Sequence, residues 1–307
     1  MKKIALLTGM LIIAGSVCYA GFSKDDAGTS AAQFLKLGAG ARATGMGEAY
    51  GAVADDASAL YWNPAGMAQL DNIEVSLMHA EWVEDISYEW GSVAVPAGGA
   101  GVIGLGVQYL SYGDMKELDT NGIEQGDFSP TDMAVNLGYG LKLTDSIFLG
   151  INAKYISCQI KEKASTTAAD VGLIKKFMDK KFSLGVAFQN IGGKMKFESE
   201  EDDLPLNFKI GSAYKINKSL LLALDVNAPK DNETAVGLGA EYIQNISNDF
   251  SVAGRVGYNS RTKDVEGLNG LSLGVGGNIF GYMVDYSYVP LGDIGDTHRI
   301  SLGISFK

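Results

Sequence analysis

From about residue 72 to the carboxyl end, apolar side chains recur at every second position. In "SIFLGINAKYI", 146–156, Ile147, Leu149, Ile151, Ala153 and Tyr155 share one face, and Gly150, Asn152 and Lys154 the other. "KFSLGVAFQN" opposes Phe182, Leu184, Val186 and Phe188 to Ser183, Gly185, Ala187 and Gln189. "DFSVAGRVGYN" and "GYMVDYSYV" repeat the pattern around Arg255 and Asp285. A period of two is that of a strand with two unlike faces. It predicts about fourteen strands, near 72–80, 84–95, 100–112, 129–142, 146–158, 166–176, 181–190, 205–215, 218–227, 233–243, 248–258, 268–278, 279–289 and 297–306. Strands of ~10 residues, when tilted, cross the ~25 Å apolar band of an outer membrane, and a bacterial barrel takes an even number of them.

The connections alternate too. "TDS", "INKS" and "NIFG" are short; "GDMKELDTNGIEQGDFSP" and "IGGKMKFESEEDDLP" are long and polar. Short turns at one end and long loops at the other mark an outer-membrane barrel, and a soluble sandwich has no reason to alternate this way. The second face, rich in Gly, Ser and Ala with scattered charges, predicts a wet lumen. Alternation places Glu89, Asp225, Glu241, Arg255, Asp285 and Arg299 on it. Partly buried charges must pair or stay hydrated, so these are expected to fill the lumen and hold its contents, or to line a polar path. In "LLLALDV", Leu220, Leu222, Leu224 and Val226 are expected to face lipid, and Ala223 a hydrated interior.

The amino-terminal part does not alternate. "MKKIALLTGMLIIAGSVCYA", 1–20, has two lysines, a short apolar run and a small-residue end: a signal peptide, expected to be cleaved after Ala20. Val17 before Cys18 is a poor fit to lipoprotein processing. The mature chain then keeps Cys158 alone, read as a packed small side chain. Residues 21–70 are rich in Gly and Ala and precede every predicted strand. Within "ADDASALYWNPAGMAQL", 54–70, Asp55, Asp56 and Ser58 suit an N-cap or first turn. "ALYW" supplies one helical turn, Asn63 before Pro64 stops it, and Gly66 permits a left-handed turn. A lumen of this size is too wide for side chains alone to fill, so this knot is expected inside it. The reading is an all-β protein: a transmembrane antiparallel β-barrel of about 14 strands over 71–307, with an N-terminal hatch or plug containing short helices over 21–70.

Composition narrows the function. The chain has 40 glycines among 307 residues, a net charge of -11 and a mean hydropathy of +0.06. Loss of Lys2 and Lys3 with the signal leaves a mature charge of about -13. An exported acidic chain has no electrostatic case for nucleic-acid binding.

"AAQFLKLGAGARATGMGEAYGAVADDASALYWNPAGM" resembles the amino-terminal region of the PorV/PorQ family, a branch of the FadL-like outer-membrane transporters. "HAEWVEDISYEW" and "VDYSYVPLGDIGDTHRISLGISF" are similar to that family as well. The resemblance implies a 14-stranded barrel with a hatch at its periplasmic side, and Asn63, Pro64 and Ala65 match the hatch motif, within a "DDAS…NPAG" element (Asp55 to Gly66) shared with the wider group. It also implies one of two roles. PorV-like members serve type IX secretion, holding the carboxy-terminal domain of exported cargo; FadL-like members take up long-chain fatty acids or other hydrophobic compounds. The first is the leading expectation. The implied partners are outer-membrane lipids with secretion-machinery proteins or exported cargo, or a hydrophobic small molecule.

Motifs for chemistry are weak. "GAGVIG", 99–104, fits a dinucleotide fingerprint but leads into a strand rather than a helix. "GLSLG", 270–274, fits a hydrolase elbow but puts Ser272 mid-strand. His79 and His298 lie far apart in sequence, and the run Glu198, Glu200, Glu201, Asp202, Asp203 reads as a solvated outer loop before a cation site. No nucleophile, base and orienting group converge, so no enzyme, catalytic residue, metal or cofactor is expected.

Overall fold

The computed structural model describes residues 27–82, 86–197, 199–263, 270–292 and 295–306. The signal peptide expected at 1–20 and Glu198 lie outside the described residues. The strands, in chain order, are β1 (Ile73–Glu81), β2 (Ser87–Pro96), β3 (Val102–Ser111), β4 (Met115–Leu118), β5 (Glu124–Phe128), β6 (Thr131–Thr144), β7 (Ile147–Gln159), β8 (Lys163–Phe177) and β9 (Phe182–Gly192). They continue as β10 (Lys194–Phe197), β11 (Glu200–Asp203), β12 (Asn207–Lys215), β13 (Leu220–Pro229), β14 (Ala235–Asn245), β15 (Phe250–Asn259), β16 (Leu271–Ile279), β17 (Tyr282–Pro290) and β18 (Asp296–Phe306). Fourteen of them form a closed antiparallel barrel, and Ile73 opposite Phe306 joins the last strand to the first. Each lies on one of the alternating segments. The pairs β4–β5 and β10–β11 are separate two-stranded hairpins. They stand within the two connections expected to be plain polar loops; their alternation is too short to read beside the barrel strands.

Side-chain direction follows the parity of the sequence. Leu137, Ile151, Leu222, Val256, Leu273 and Leu302 are exposed on the outer wall. Their neighbours Asn136, Asn152, Ala223 and Ser272 are buried inside. Short connections close the end that also holds Ile73 and Phe306; the longer loops and both hairpins occupy the other.

The lumen holds residues 30–70 of the same chain. This segment has little regular structure: 3₁₀ turns at Gln33–Lys36 and Pro64–Gln69, and the single-turn helices α1 (Ala41–Thr44) and α2 (Ala59–Trp62). It enters at the loop end, where the Ala31 N–H donates to the Asp203 carbonyl at 3.0 Å. It leaves at the short-turn end, where Ala68 packs on Gly140. Glycines of the wall make the room. A Cβ on Gly150 would overlap the Pro64 backbone, one on Gly172 the Asn63 side chain, one on Gly185 the Gly51 carbonyl, and one on Gly257 the Gly47 backbone. Leu60 and Met67 fill the space over Gly138 and Gly104.

The interior is therefore packed where the sequence suggested water. Ala223, expected to face a hydrated space, belongs to the continuous core of segment and wall at 5% exposure. Arginine at Leu222 should cost about 2–4 kcal/mol, the range for a basic side chain near the bilayer midplane. Arginine at Ala223 should cost at least as much, because it must displace packed atoms rather than enter water. Folding titrations of the two variants in lipid vesicles measure both, and a mild Ala223→Arg would mean a wet lumen.

Candidate functional site

The sequence "YWNPAG" turns the luminal segment toward the wall. Helix α2 ends at Asn63, whose extended backbone (φ -161°, ψ 105°) is what a residue before proline prefers. Its Oδ1 accepts from the Ala65 N–H at 3.2 Å and caps the next 3₁₀ turn, while its Nδ2 donates to the Gly51 carbonyl at 2.8 Å. Asn63 is fully buried, so one side chain ties two stretches of the segment together. Pro64 and Ala65 lie against Gly150. Gly66 does not adopt the left-handed conformation expected of it; it sits inside the 3₁₀ turn, where a Cβ would strike the Ala54 carbonyl.

The acidic start of the motif serves an ion cluster. The Ser58 hydroxyl caps no helix N–H; it donates to Asp56 Oδ1 at 2.5 Å, and the Ser58 N–H donates to the same oxygen at 2.9 Å. Asp55 and Asp56 face Arg42 of α1, with Nη1 at 2.7 Å and 3.4 Å. From Arg42 a chain of alternating charge runs into the wall. Arg42 Nε meets Glu241 at 2.8 Å, Arg255 Nε meets the same carboxylate at 2.7 Å, and Arg255 Nη1 meets Asp285 at 2.6 Å. Burial alone would lower the Arg42 pKa, but Asp55 and Glu241 outweigh it and hold the guanidinium well above its ordinary value. Asp225, fully buried, accepts from the Tyr50 and Gly51 N–H groups at 3.1 and 2.7 Å. Arg299 is 5% exposed and donates from Nη1 to the Gly38 carbonyl at 3.4 Å.

Five of the six lumen residues named from the sequence thus point into the barrel, and Asp225, Glu241 and Arg299 bond the segment directly. Glu89 does not. In β2 the buried positions are Tyr88, Trp90, Ser92 and Ala94, so Glu89 points outward, where it lies 2.6 Å from His79. The polar character of Glu89 suggested the lumen, but the aromatic rings of Tyr88 and Trp90 pack inward instead; Trp90 stacks edge-on against Tyr61.

Other residues of the clasp lay outside the sequence reading. Arg42 was one, although the acids Glu241 and Asp285 outnumber Arg255 and ask for a second cation from elsewhere. Lys209 was another; it is buried with its ammonium 4.3 Å from the centre of the Trp62 ring. The third is Asp170, which forms a buried ion pair within the wall with Lys154 at 2.8 Å. Asp170 falls at a register shift between β8 and β9, where Asn190 adopts φ 60° and donates its N–H to Asp170 at 2.8 Å. The break of alternation after Phe188, in "FQNIGG", is the sequence signal of that bulge.

Among the described residues the loop end carries cavities beside the segment of about 110 Å³ and about 50 Å³, and a more open one of about 280 Å³ between Thr29, Ser30 and the β10–β11 hairpin. His79 and His298 bond separately, His298 to the Tyr286 hydroxyl at 2.7 Å, and no metal-binding cluster occurs among the described residues. Glu200–Asp203 form strand β11, with Asp203 held by Lys230 and Lys194. The "GAGVIG" stretch runs into β3, and Ser272 lies within β16 accepting from the Gly47 N–H at 3.1 Å. Cys158 is buried.

A family model described as type IX secretion system protein PorV matches residues 22–230. Among solved structures, the Ralstonia pickettii toluene transporter TbuX is similar at 12% identity and a TM-score of 0.61, over 88% of this chain and 99% of that one. The Pseudomonas putida toluene transporter TodX aligns at 12% identity and a TM-score of 0.53, over 81% and 92%. A Pseudomonas aeruginosa FadL homologue aligns at 12% and 0.50, over 85% and 97%. At such identity the likeness is one of fold. No curated protein matches.

Two outcomes follow from the clasp. Glu241→Gln leaves two buried guanidinium groups short of charge and should cost about 3–5 kcal/mol, read as a lower unfolding midpoint in detergent. At the loop end, Asp231 accepts from Gln33 at 2.7 Å and Lys36 at 2.6 Å. Burial would raise its pKa, but these two partners outweigh burial and hold it below the ordinary carboxylate range. A lowered folded pKa gives stability that is full above the unfolded value of about 3.9 and is lost as pH falls through the folded one. Hydrogen exchange of residues 30–36 should therefore stay slow at pH 5 and accelerate below about pH 4, and Asp231→Asn should abolish that dependence.

Proposed function

Because the chain belongs to the PorV family, we propose that this outer-membrane barrel serves protein secretion as a docking component rather than as a conduit. The filled lumen carries this reading. A segment packed on the wall along its length, with cavities of about 280, 110 and 50 Å³ at the loop end beside it, leaves no path through the described residues for a polypeptide, folded or extended. What the barrel offers a large partner is its loop end. There the β4–β5 hairpin and its turn present Met115, Leu118 and Ile123 as exposed apolar side chains among charged ones. Exposed apolar groups rimmed by polar ones are a usual composition for a protein-binding patch. Secretion-machinery proteins or the sorting domain of exported cargo are the partners this role implies, and the role needs no catalysis.

The supporting topology is that of an outer-membrane protein: an export signal cleaved after Ala20, short turns in the periplasm and hairpins outside. Residues 21–70 act in it as a plug. The second reading is uptake of hydrophobic compounds, favoured by the fold shared with proteins titled toluene transporters and monoaromatic hydrocarbon channels.

A photo-crosslinking amino acid at Leu118 or Ile123, in cells expressing the chain at its natural level, tests the first reading. Capture of an exported protein or a secretion component, with loss of its export when the chain is deleted, is the expected outcome. Normal export after deletion, with slowed uptake of toluene or oleate, would transfer the function to the second reading. In purified form, removal of residues 22–70 should leave a heat-modifiable barrel with a larger single-channel conductance. An unchanged conductance would mean that the segment is no plug.

A further inference from the structure

The cavity of about 110 Å³ lies at the loop end, between the luminal segment and the wall of β15, β16 and β18. Lys36, Glu48, Trp82, Arg261 and Arg299 are among its lining residues. The arginines of the interior are otherwise matched. Arg42 and Arg255 share Glu241, Arg42 has Asp55, Arg255 has Asp285, and Arg261 has Glu48 at 3.4 Å. Arg299 has no carboxylate partner among the described residues. Its one hydrogen bond is the long one to the Gly38 carbonyl, and its buried Nε has none. Beside it the Trp82 ring lies 5.9 Å from the guanidinium, and the buried Trp82 indole N–H also lacks an acceptor.

A guanidinium taken out of water without a carboxylate partner is costly. Two buried donors without acceptors on one cavity call for an acceptor-only group. The lining has three cations and one acid, and Lys36 is neutralised by Asp231. Glu48 is taken by Arg261 and by Asn259, which donates to Glu48 Oε2 at 3.2 Å. Among the described lining residues one positive charge remains, that of Arg299. We infer that this cavity is a binding site for a small organic carboxylate, its carboxylate held by Arg299 and the Trp82 N–H and its apolar body lying on the Trp82 ring and Leu37. Leu37, Val289 and Leu291 supply apolar surface for such a body, while inorganic anions would leave it unused. The inference holds whichever of the two roles the barrel serves.

The probe is benzoate, with benzyl alcohol as its neutral counterpart of the same ring, titrated calorimetrically into the full chain in detergent. Benzoate should bind, and benzyl alcohol about tenfold or more weakly, the effect of one charge-assisted hydrogen bond. Arg299→Gln should weaken benzoate by about the same factor and leave benzyl alcohol unaffected; Arg299→Lys should fall between. Trp82→Phe, which keeps the ring and removes the N–H, should weaken benzoate severalfold. Without benzoate, Arg299→Gln should melt no lower than the parent chain, unlike Glu241→Gln, because the site is unsatisfied when empty. A peptide with a free carboxyl terminus that displaces benzoate, where its amide does not, would support the same seat and assign it to a chain end. Equal affinity of benzoate for the parent chain and Arg299→Gln, equal affinity of the two probes, or no benzoate binding at millimolar concentration would each overturn the inference.

Discussion

The structure depends on the absence of side chains where the luminal segment meets the wall. Closing fourteen strands leaves an interior that side chains alone cannot fill. Here a backbone fills it, and backbone can approach backbone closely where the wall residue is glycine. Gly150, Gly172, Gly185 and Gly257 stand on four different strands and each admits a different part of residues 47–64. The many glycines of the chain thus have a structural purpose that composition alone does not reveal. Because the approach is so close, the segment needs almost no regular structure of its own; wall side chains such as Asp225, Ser272 and Ser301 accept its N–H groups.

Close packing also sets the terms for charge. A wet lumen could carry unmatched ions; a filled one must match them. Arg42, Glu241, Arg255 and Asp285 alternate in sign over contacts of 2.6–2.8 Å, and each inner member touches two opposite charges. Such a chain gains little net stability over apolar packing, yet breaking it is expensive. It gives register instead. The segment can sit at one depth in the barrel, because sliding it by a residue would bury several uncompensated charges at once. Glycine clearance says that the segment fits, and the ion chain says where.

Much of this was legible in the sequence, for reasons specific to each part. The barrel strands were readable because lipid on one side and packed interior on the other impose a period of two over about ten residues. The knot at 55–66 is readable as a local object from Asn63–Pro64, but Gly66 is there for clearance from the Ala54 carbonyl rather than for φ, and sequence does not separate the two. Polarity alone assigns Glu89 to the lumen, but the large rings of Tyr88 and Trp90 decide which face of β2 turns inward. The hairpins β4–β5 and β10–β11 are too short for alternation to stand out. The partners of Glu241 were illegible in principle, since Arg42 lies 199 positions away and reaches it only through the threading of the segment.

The direction of that threading bears on function. The segment is fixed at the loop end by Asp203 and Asp231, at mid-depth by Asp225 and Glu241, and at the short-turn end by contact with Gly140. A hatch hinged at one end could swing; a segment tied at three depths cannot open without losing its core, its ion chain and its glycine contacts together. The upper tie is different in kind. It includes one backbone hydrogen bond and the bonds of Gln33 and Lys36 to Asp231, and its acceptors belong to the β10–β11 hairpin and the β13–β14 loop. Loss of that tie would free only the head of the segment beside the Arg299 cavity, because the glycine contacts and the ion chain hold its body in the lumen.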